Sequence, residues 1–258
     1  MKPEDMAKVP GGVQLFPMTA GSIVLAYNLK GIDAVKLSRK AYAGVFLGTV
    51  KRWNDPLIAA SNPGVTLPDL PINVVVRADS SGTSFVFSQH LSAISDDFSR
   101  TVGANTMPNW PAGTKSKGNE GVTSSIMTTP GSIGYIEYGY AESQKMPMAE
   151  LENKSGKFIA ATTAAGQAAL ASADDARRHD RLGARSRRCA DAYPIVTYTW
   201  LICYKKYPDK AEAAGDAGPA ALRADRRAEG RRRRLGYIPL PANVADKADS
   251  AIQNLTTQ

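Results

Sequence analysis

The sequence predicts an α/β protein. Short β-branched or apolar runs alternate with stretches of helical periodicity along the chain, Gly/Pro/Asn clusters separate them, and no internal repeat interrupts the alternation, which favours a sheet with helices on both faces. At 258 residues the chain is long enough for one large domain or two smaller lobes.

Residues 1–12 are polar with Gly and Pro and read as a loop or a helix remnant. Residues 13–16 and 22–29 read as strands separated by a turn at Met18, Thr19, Ala20 and Gly21. Ser38 opens a helix that places Tyr42, Val45 and Phe46 on one face and stops at Gly48. Asp55 before Pro56 caps the next helix, and Asn62, Pro63, Gly64 and Pro68 punctuate the loop that leads to a strand over 72–76. A helix follows from Thr83, with Phe85, Val86, Leu91 and Ile94 as its apolar positions. Beyond a Pro/Gly loop around Trp110 to Gly113, Lys117 to Gly121 form a second glycine-flanked helix start. A strand over 133–136 runs into Glu137, Tyr138, Gly139 and Tyr140, where alternation of Tyr135, Tyr138 and Tyr140 along a strand would line a core or groove. A long strand over 193–204 and an amphipathic helix over 241–255 complete the reading.

The junction between the 72–76 strand and the Thr83 helix carries the chemistry. Ser80, Ser81 and Gly82 are small, so backbone can approach a ligand closely, and serine suits a helix start. The first N–H groups of a helix lack intrahelical partners and sit at the positive end of its dipole, which makes an anion site. Arg77 adds a fixed positive charge with donors suited to a tetrahedral oxyanion, and Asp79 is placed to hold that guanidinium in one orientation. A capped helix with an Arg–Asp surface pair fits the same residues, and the stretch is not a phosphate-binding P-loop, since no Gly-x-x-x-x-Gly-Lys occurs.

Composition removes several classes. No apolar run reaches the roughly 20 residues needed to span a bilayer, and the first residues contain no apolar core of an export signal. Cys189 and Cys203 have no metal-ligand spacing, and His90 and His179 have no evident partners, so no metal, cofactor or required disulfide is expected. The net charge of +8 would point to nucleic acid, but residues 174–189, with six Arg and three Asp, and residues 214–234, with seven Arg, two Asp and one Glu, contribute seven of those eight charges. Both windows lack periodicity, as a disordered basic loop would. GC-rich codons read one base further on give ordinary mixed sequence in both, amphipathic and helical in the second. Out-of-frame translation is therefore expected there; continuous DNA reads in the present frame would refute it. A nucleic-acid partner is not expected.

The chain resembles the solute-binding proteins of the bacterial ABC-type phosphate importer. The matching residues are Gly21 to Asn28, Phe46 to Val50 with Trp53-Asn54-Asp55, Asn62-Pro63-Gly64, Arg77 to Phe85, Lys117 to Gly121, Pro130 to Tyr140 and Gly236 to Pro241. The resemblance implies a two-lobe periplasmic-binding-protein (type II) fold with a hinge, its first lobe formed by residues 1–26 plus 197–258 and its second by 27–196. It also implies that Arg77, Ser81, Gly82 and Thr83 bind one dehydrated phosphate, with Asp79 orienting Arg77. No chemistry is performed on the ligand; a closed form delivers it to the permease and ATPase subunits of the importer. A monomer that is periplasmic, or exported and membrane-associated, is implied. In that family a leader, a first strand, a Thr-Phe loop, a Ser-bearing helix start and a proton-accepting Asp precede the equivalent of Met1, so the first lobe is expected to be incomplete and binding weak or lost. A non-functional remnant is the first alternative. A phosphatase using the same cradle is the second and would need a nucleophile with a base, or a metal cluster; His90, on a predicted helix, reads as a surface or core residue rather than a catalyst.

Overall fold

In the computed structural model the described residues are 6–171, 190–207, 230, 235–242, 244–246, 248 and 256–257. Both arginine-rich windows lie outside them apart from Gly230, as do His179, Cys189 and parts of the helix expected over 241–255. The chain divides into two compact units, Met1–Ala20 with Tyr198–Gln258, and Gly21–Thr197.

Among the described residues the elements follow one another as β1 (Val13–Tyr27), β2 (Lys36–Leu37), α1 (Arg39–Leu47), α2 (Pro56–Ala59), β3 (Asn73–Arg77), α3 (Gly82–Ile94), α4 (Asp96–Thr101), β4 (Thr114–Ser116), α5 (Gly118–Thr128), β5 (Ser132–Glu137), α6 (Tyr138–Ser143), β6 (Glu150–Glu152), β7 (Phe158–Ile159), α7 (Thr163–Ala171), β8 (Val196–Tyr204), β9 (Lys206–Tyr207) and β10 (Thr256–Thr257). The main sheet has the order β4-β3-β5-β1-β8. β3 runs parallel to both β4 and β5, while β1 lies antiparallel to β5 with Leu25 opposite Tyr135. β2, β6 and β7 form a small second sheet, and β9 pairs with β10. The expected α/β class is what the structure shows.

Local chemistry explains most boundaries. Ser38 Oγ accepts the Ala41 N–H at 3.2 Å at the start of α1, and Gly48 ends that helix at φ 72°. Asp55 caps α2 by accepting the Leu57 N–H at 2.9 Å, with Pro56 at the first helical position. The strand expected over 72–76 is displaced by one residue at each end, so it includes Arg77.

Three expectations are corrected. The turn at 18–21 does not form: β1 is one continuous strand through those residues. Gly21 is not there to reverse the chain; a Cβ on it would stand 2.9 Å from Glu137 Oε1, so glycine makes room for a neighbouring carboxyl. In α3, Phe85 is 36% exposed while Phe87 and Leu91 are fully buried; the helix turns Ser84, Phe87, Ser88 and Leu91 inward, and the two serine hydroxyls on that face find partners at Tyr135 and Asn105. Tyr138 and Tyr140 belong to α6, because Glu137 ends the strand by accepting the Gly139 N–H at 3.0 Å as a helix cap.

The core of the Gly21–Thr197 unit is aromatic. Phe87 stacks on Tyr135 at 4.7 Å and meets Phe46 edge-on at 4.7 Å, and Trp110 lies 5.4 Å from Tyr135 and 5.8 Å from Phe98. α5 packs against β3 and β5 on a close approach at Gly134, where a Cβ would stand 2.8 Å from the Val75 carbonyl and 2.9 Å from Ile126 Cδ1. Gly134→Ala is therefore expected to destabilise the protein by about 1–3 kcal/mol through overpacking, read as a lower urea midpoint at unchanged slope. His90 is buried in the same core with Nε2 2.8 Å from the Tyr42 hydroxyl, and burial pushes it down to about 3. The unfolded chain protonates His90 first, so stability should fall as pH drops from about 6.5 toward about 3, with this group contributing up to ~1.4 kcal/mol per pH unit. Urea titrations of wild type and His90→Gln across that range check it, the variant lacking this part of the slope.

Candidate anion site

β3 delivers Arg77 to its end, and the chain then turns through Ala78, Asp79 and Ser80 to Ser81, the cap of α3. The Arg77 side chain is only 9% exposed. Its Nε donates to Asp79 Oδ1 at 2.9 Å and its Nη2 to Asp79 Oδ2 at 2.5 Å, a bidentate fork between residues two apart. Nη1 donates to Asn119 Oδ1 at 3.4 Å. Of the five N–H groups of a guanidinium, two therefore have no acceptor among the described residues.

Asp79 is fixed from a second side. Its Oδ1 accepts the Gly118 N–H at 3.0 Å, the first amide of α5, where Gly118 has φ 70°. The Arg77 hydrogen bonds, and after them the Gly118 N–H, hold this carboxyl far below the usual carboxylate range, and Asp79 in turn raises Arg77. One carboxylate thus joins the end of β3 to the start of α5.

Ser81 Oγ accepts the Ser84 N–H at 3.3 Å, and the Ser81 N–H donates to the Thr106 carbonyl at 2.8 Å. The backbone amide of Ser81 is therefore occupied, while its hydroxyl proton is left to donate. The N–H groups of Gly82 and Thr83 and the Thr83 hydroxyl have no acceptor among the described residues, as expected of a helix first turn. Gly82 is exposed and Ser81 and Thr83 are partly or wholly covered.

The sequence-identified residues Arg77, Asp79, Ser81, Gly82 and Thr83 thus occupy one strand-to-helix junction, with uncommitted donors of three kinds: guanidinium, hydroxyl and amide. Sequence reasoning missed Asn119 and Gly118 as parts of this cluster, although the glycines flanking that helix start were its visible signal. It also missed Tyr135, whose hydroxyl meets Ser84 Oγ at 2.7 Å and accepts the Arg77 N–H at 3.1 Å. Glu120 is nearby, bound by the Tyr140 hydroxyl at 2.9 Å; its own backbone N–H first, and that hydroxyl next, lower its carboxyl. No group of three or more His, Cys, Asp or Glu able to hold a metal occurs among the described residues.

An arginine with a largely covered side chain at a strand end, held by one orienting carboxylate next to a helix first turn with unpartnered donors, is the arrangement expected of an anion-binding protein on an α/β frame. The PBP superfamily domain matches residues 3–217. The phosphate-binding protein PstS of Xylella fastidiosa is 33% identical over 253 residues, covering 96% of this chain and 69% of the relative. That of Haemophilus influenzae is 34% identical over 241 residues, covering 91% and 71%. The chain belongs to the PstS family of phosphate-binding proteins. Its fold is that of solved periplasmic binding proteins: the phosphate-bound PfluDING protein superposes with a TM-score of 0.75 at 19% identity, covering 97% of this chain and 76% of that one. An ABC-type phosphate transport receptor from Vibrio cholerae gives 0.56 at 16%, covering 93% and 77%. The relatives are binding proteins rather than enzymes.

Asp79→Asn tests the local electrostatics. Because the folded carboxyl is depressed, its contribution is complete above its ordinary value of 3.8 and is lost as pH falls below it. The stability difference between wild type and Asp79→Asn, measured by urea titration, is expected to shrink as pH falls from about 4 to about 2.

Proposed function

We propose that the chain binds inorganic phosphate through Arg77, Ser81, Gly82 and Thr83 and hands it to the membrane permease of an ABC-type phosphate importer. The observation that carries the reading is the committed and uncommitted parts of Arg77: Asp79 takes two of its five guanidinium N–H groups and Asn119 a third, leaving two, and the amides of Gly82 and Thr83 at the same strand-to-helix junction have no acceptor among the described residues. A tetrahedral dianion needs many donors, and neutral dipoles plus one pre-paired cation supply them without burying several full charges. The names of the relatives agree with that ligand.

Delivery to a permease rests on the V. cholerae receptor's description as an ABC-type phosphate transport receptor. The description of the PfluDING protein as periplasmic supports an exported location; among the described residues no helix is long and apolar enough to cross a membrane. His90, the residue an enzymatic reading would enlist, is buried against Tyr42 and held neutral near pH 7.

Calorimetric titration of the full chain with phosphate is expected to give one-to-one binding, an outcome that would correct the weak or lost binding expected of an incomplete first lobe, and Arg77→Ala is expected to weaken it at least 100-fold, or about 2.7 kcal/mol, since charged hydrogen bonds are lost and Asp79 is left unpaired. Absence of phosphate binding by the wild type, or equal binding by Arg77→Ala, would overturn the proposal.

A further inference from the structure

We infer that Tyr135 is a positioning residue for anion capture, its hydroxyl joining the Arg77 backbone to the first turn of α3. The inference rests on the phosphate-binding reading of that turn.

β3 and β5 pair in parallel through Asn73↔Ser132, Val74↔Ile133 and Val75↔Gly134. The ladder on that side stops there, so the Arg77 N–H lies beyond the last paired residue. A side chain from β5 takes over: the Tyr135 hydroxyl accepts that N–H at 3.1 Å. On the other side of the junction Ala78 N–H donates to the Ser116 carbonyl at 2.9 Å. The backbone carrying Arg77 is therefore held between β5 and β4, once by a phenol and once by a peptide group.

The same hydroxyl reaches α3. It lies 2.7 Å from Ser84 Oγ, and the Ser84 N–H is the one that Ser81 Oγ caps. Ser84 and Tyr135 are both wholly buried. A buried sequence of hydrogen bonds thus runs from the Arg77 amide through Tyr135 and Ser84 to Ser81, linking two residues assigned to the anion without touching it. The tyrosine ring is itself immobilised between Phe87, Trp110 and Phe46, at 4.7, 5.4 and 6.0 Å. Burial raises Tyr135 above the ordinary tyrosine value, so it stays protonated at neutral pH. Removing its oxygen leaves the Arg77 N–H and Ser84 Oγ without this partner in a water-poor core, and the strand end and helix start are then free to drift apart.

Tyr135→Phe keeps the ring packing and deletes only the link. It is expected to weaken phosphate binding about tenfold through faster release. Ser84→Ala, which spares the ring altogether, should weaken binding about threefold, and the double variant should be no weaker than Tyr135→Phe alone, because both act through one chain of bonds. Amide hydrogen exchange of the ligand-free protein supplies a readout that does not depend on phosphate. Exchange at Arg77 should speed up in Tyr135→Phe while Val75 and Val76 stay protected. Tyr135→Phe binding phosphate within twofold of wild type, or additive losses in the double variant, would overturn the inference. If the wild type binds no phosphate, the functional reading falls, and unchanged exchange at Arg77 would then overturn the link itself.

Discussion

The Arg77–Asp79 pair is the constraint on which the junction depends. An arginine whose side chain is nearly buried at the end of a central strand is costly unless its charge is met locally. Asp79 meets it from two residues away with both carboxylate oxygens, and the Gly118 amide fixes the carboxylate in turn. The consequence is that three of the guanidinium N–H groups are spent on Asp79 and Asn119, while two have no acceptor among the described residues. Substituting lysine would keep the charge but lose the two-edged geometry, since an ammonium cannot divide its donors between an orienting partner and a ligand in fixed planes.

Around that pair the fold provides stiffness rather than further charge. β3 is flanked by parallel neighbours on both sides, α3 and α5 pack on the sheet beside it, and the aromatic cluster under the turn leaves Tyr135 little freedom. Anion recognition by neutral dipoles demands such stiffness, because each donor is weak and only donors already aligned act together on one ion. Asp79 and the nearby Glu120 each act electrostatically on Arg77 and raise it.

Much of this was legible in the sequence because it is local. Caps at Ser38, Asp55 and Ser81 announce their helices within three residues, and the Arg-x-Asp-x-Ser-Gly-Thr run displays cation, orienting carboxylate and donors in one reading frame. What was not legible depends on residues far apart in the chain. Gly21 looked like a turn because glycine's commonest use is conformational; its actual neighbour, Glu137, lies 116 residues away and comes close only through the antiparallel pairing of β1 with β5. The inward face of α3 was misread because its apolar periodicity is blurred by Ser84 and Ser88, which are buried for their hydroxyl partners rather than for hydrophobicity. Asn119 and Tyr135 likewise reach Arg77 from 42 and 58 residues away, and no spacing rule connects them.

Ser81 holds two offices in one atom group, and this narrows what can stand at that position. Its oxygen caps α3 while its proton remains free to donate. Of the residues that cap helices well, aspartate would set a like charge against an anion, glycine would bring no donor, and asparagine would divide cap and donor between two atoms of a longer side chain. Only threonine shares serine's arrangement. On the proposed reading, helix stability and ligand capture draw on the same hydroxyl, so truncating the side chain at Ser81 removes donor and cap together.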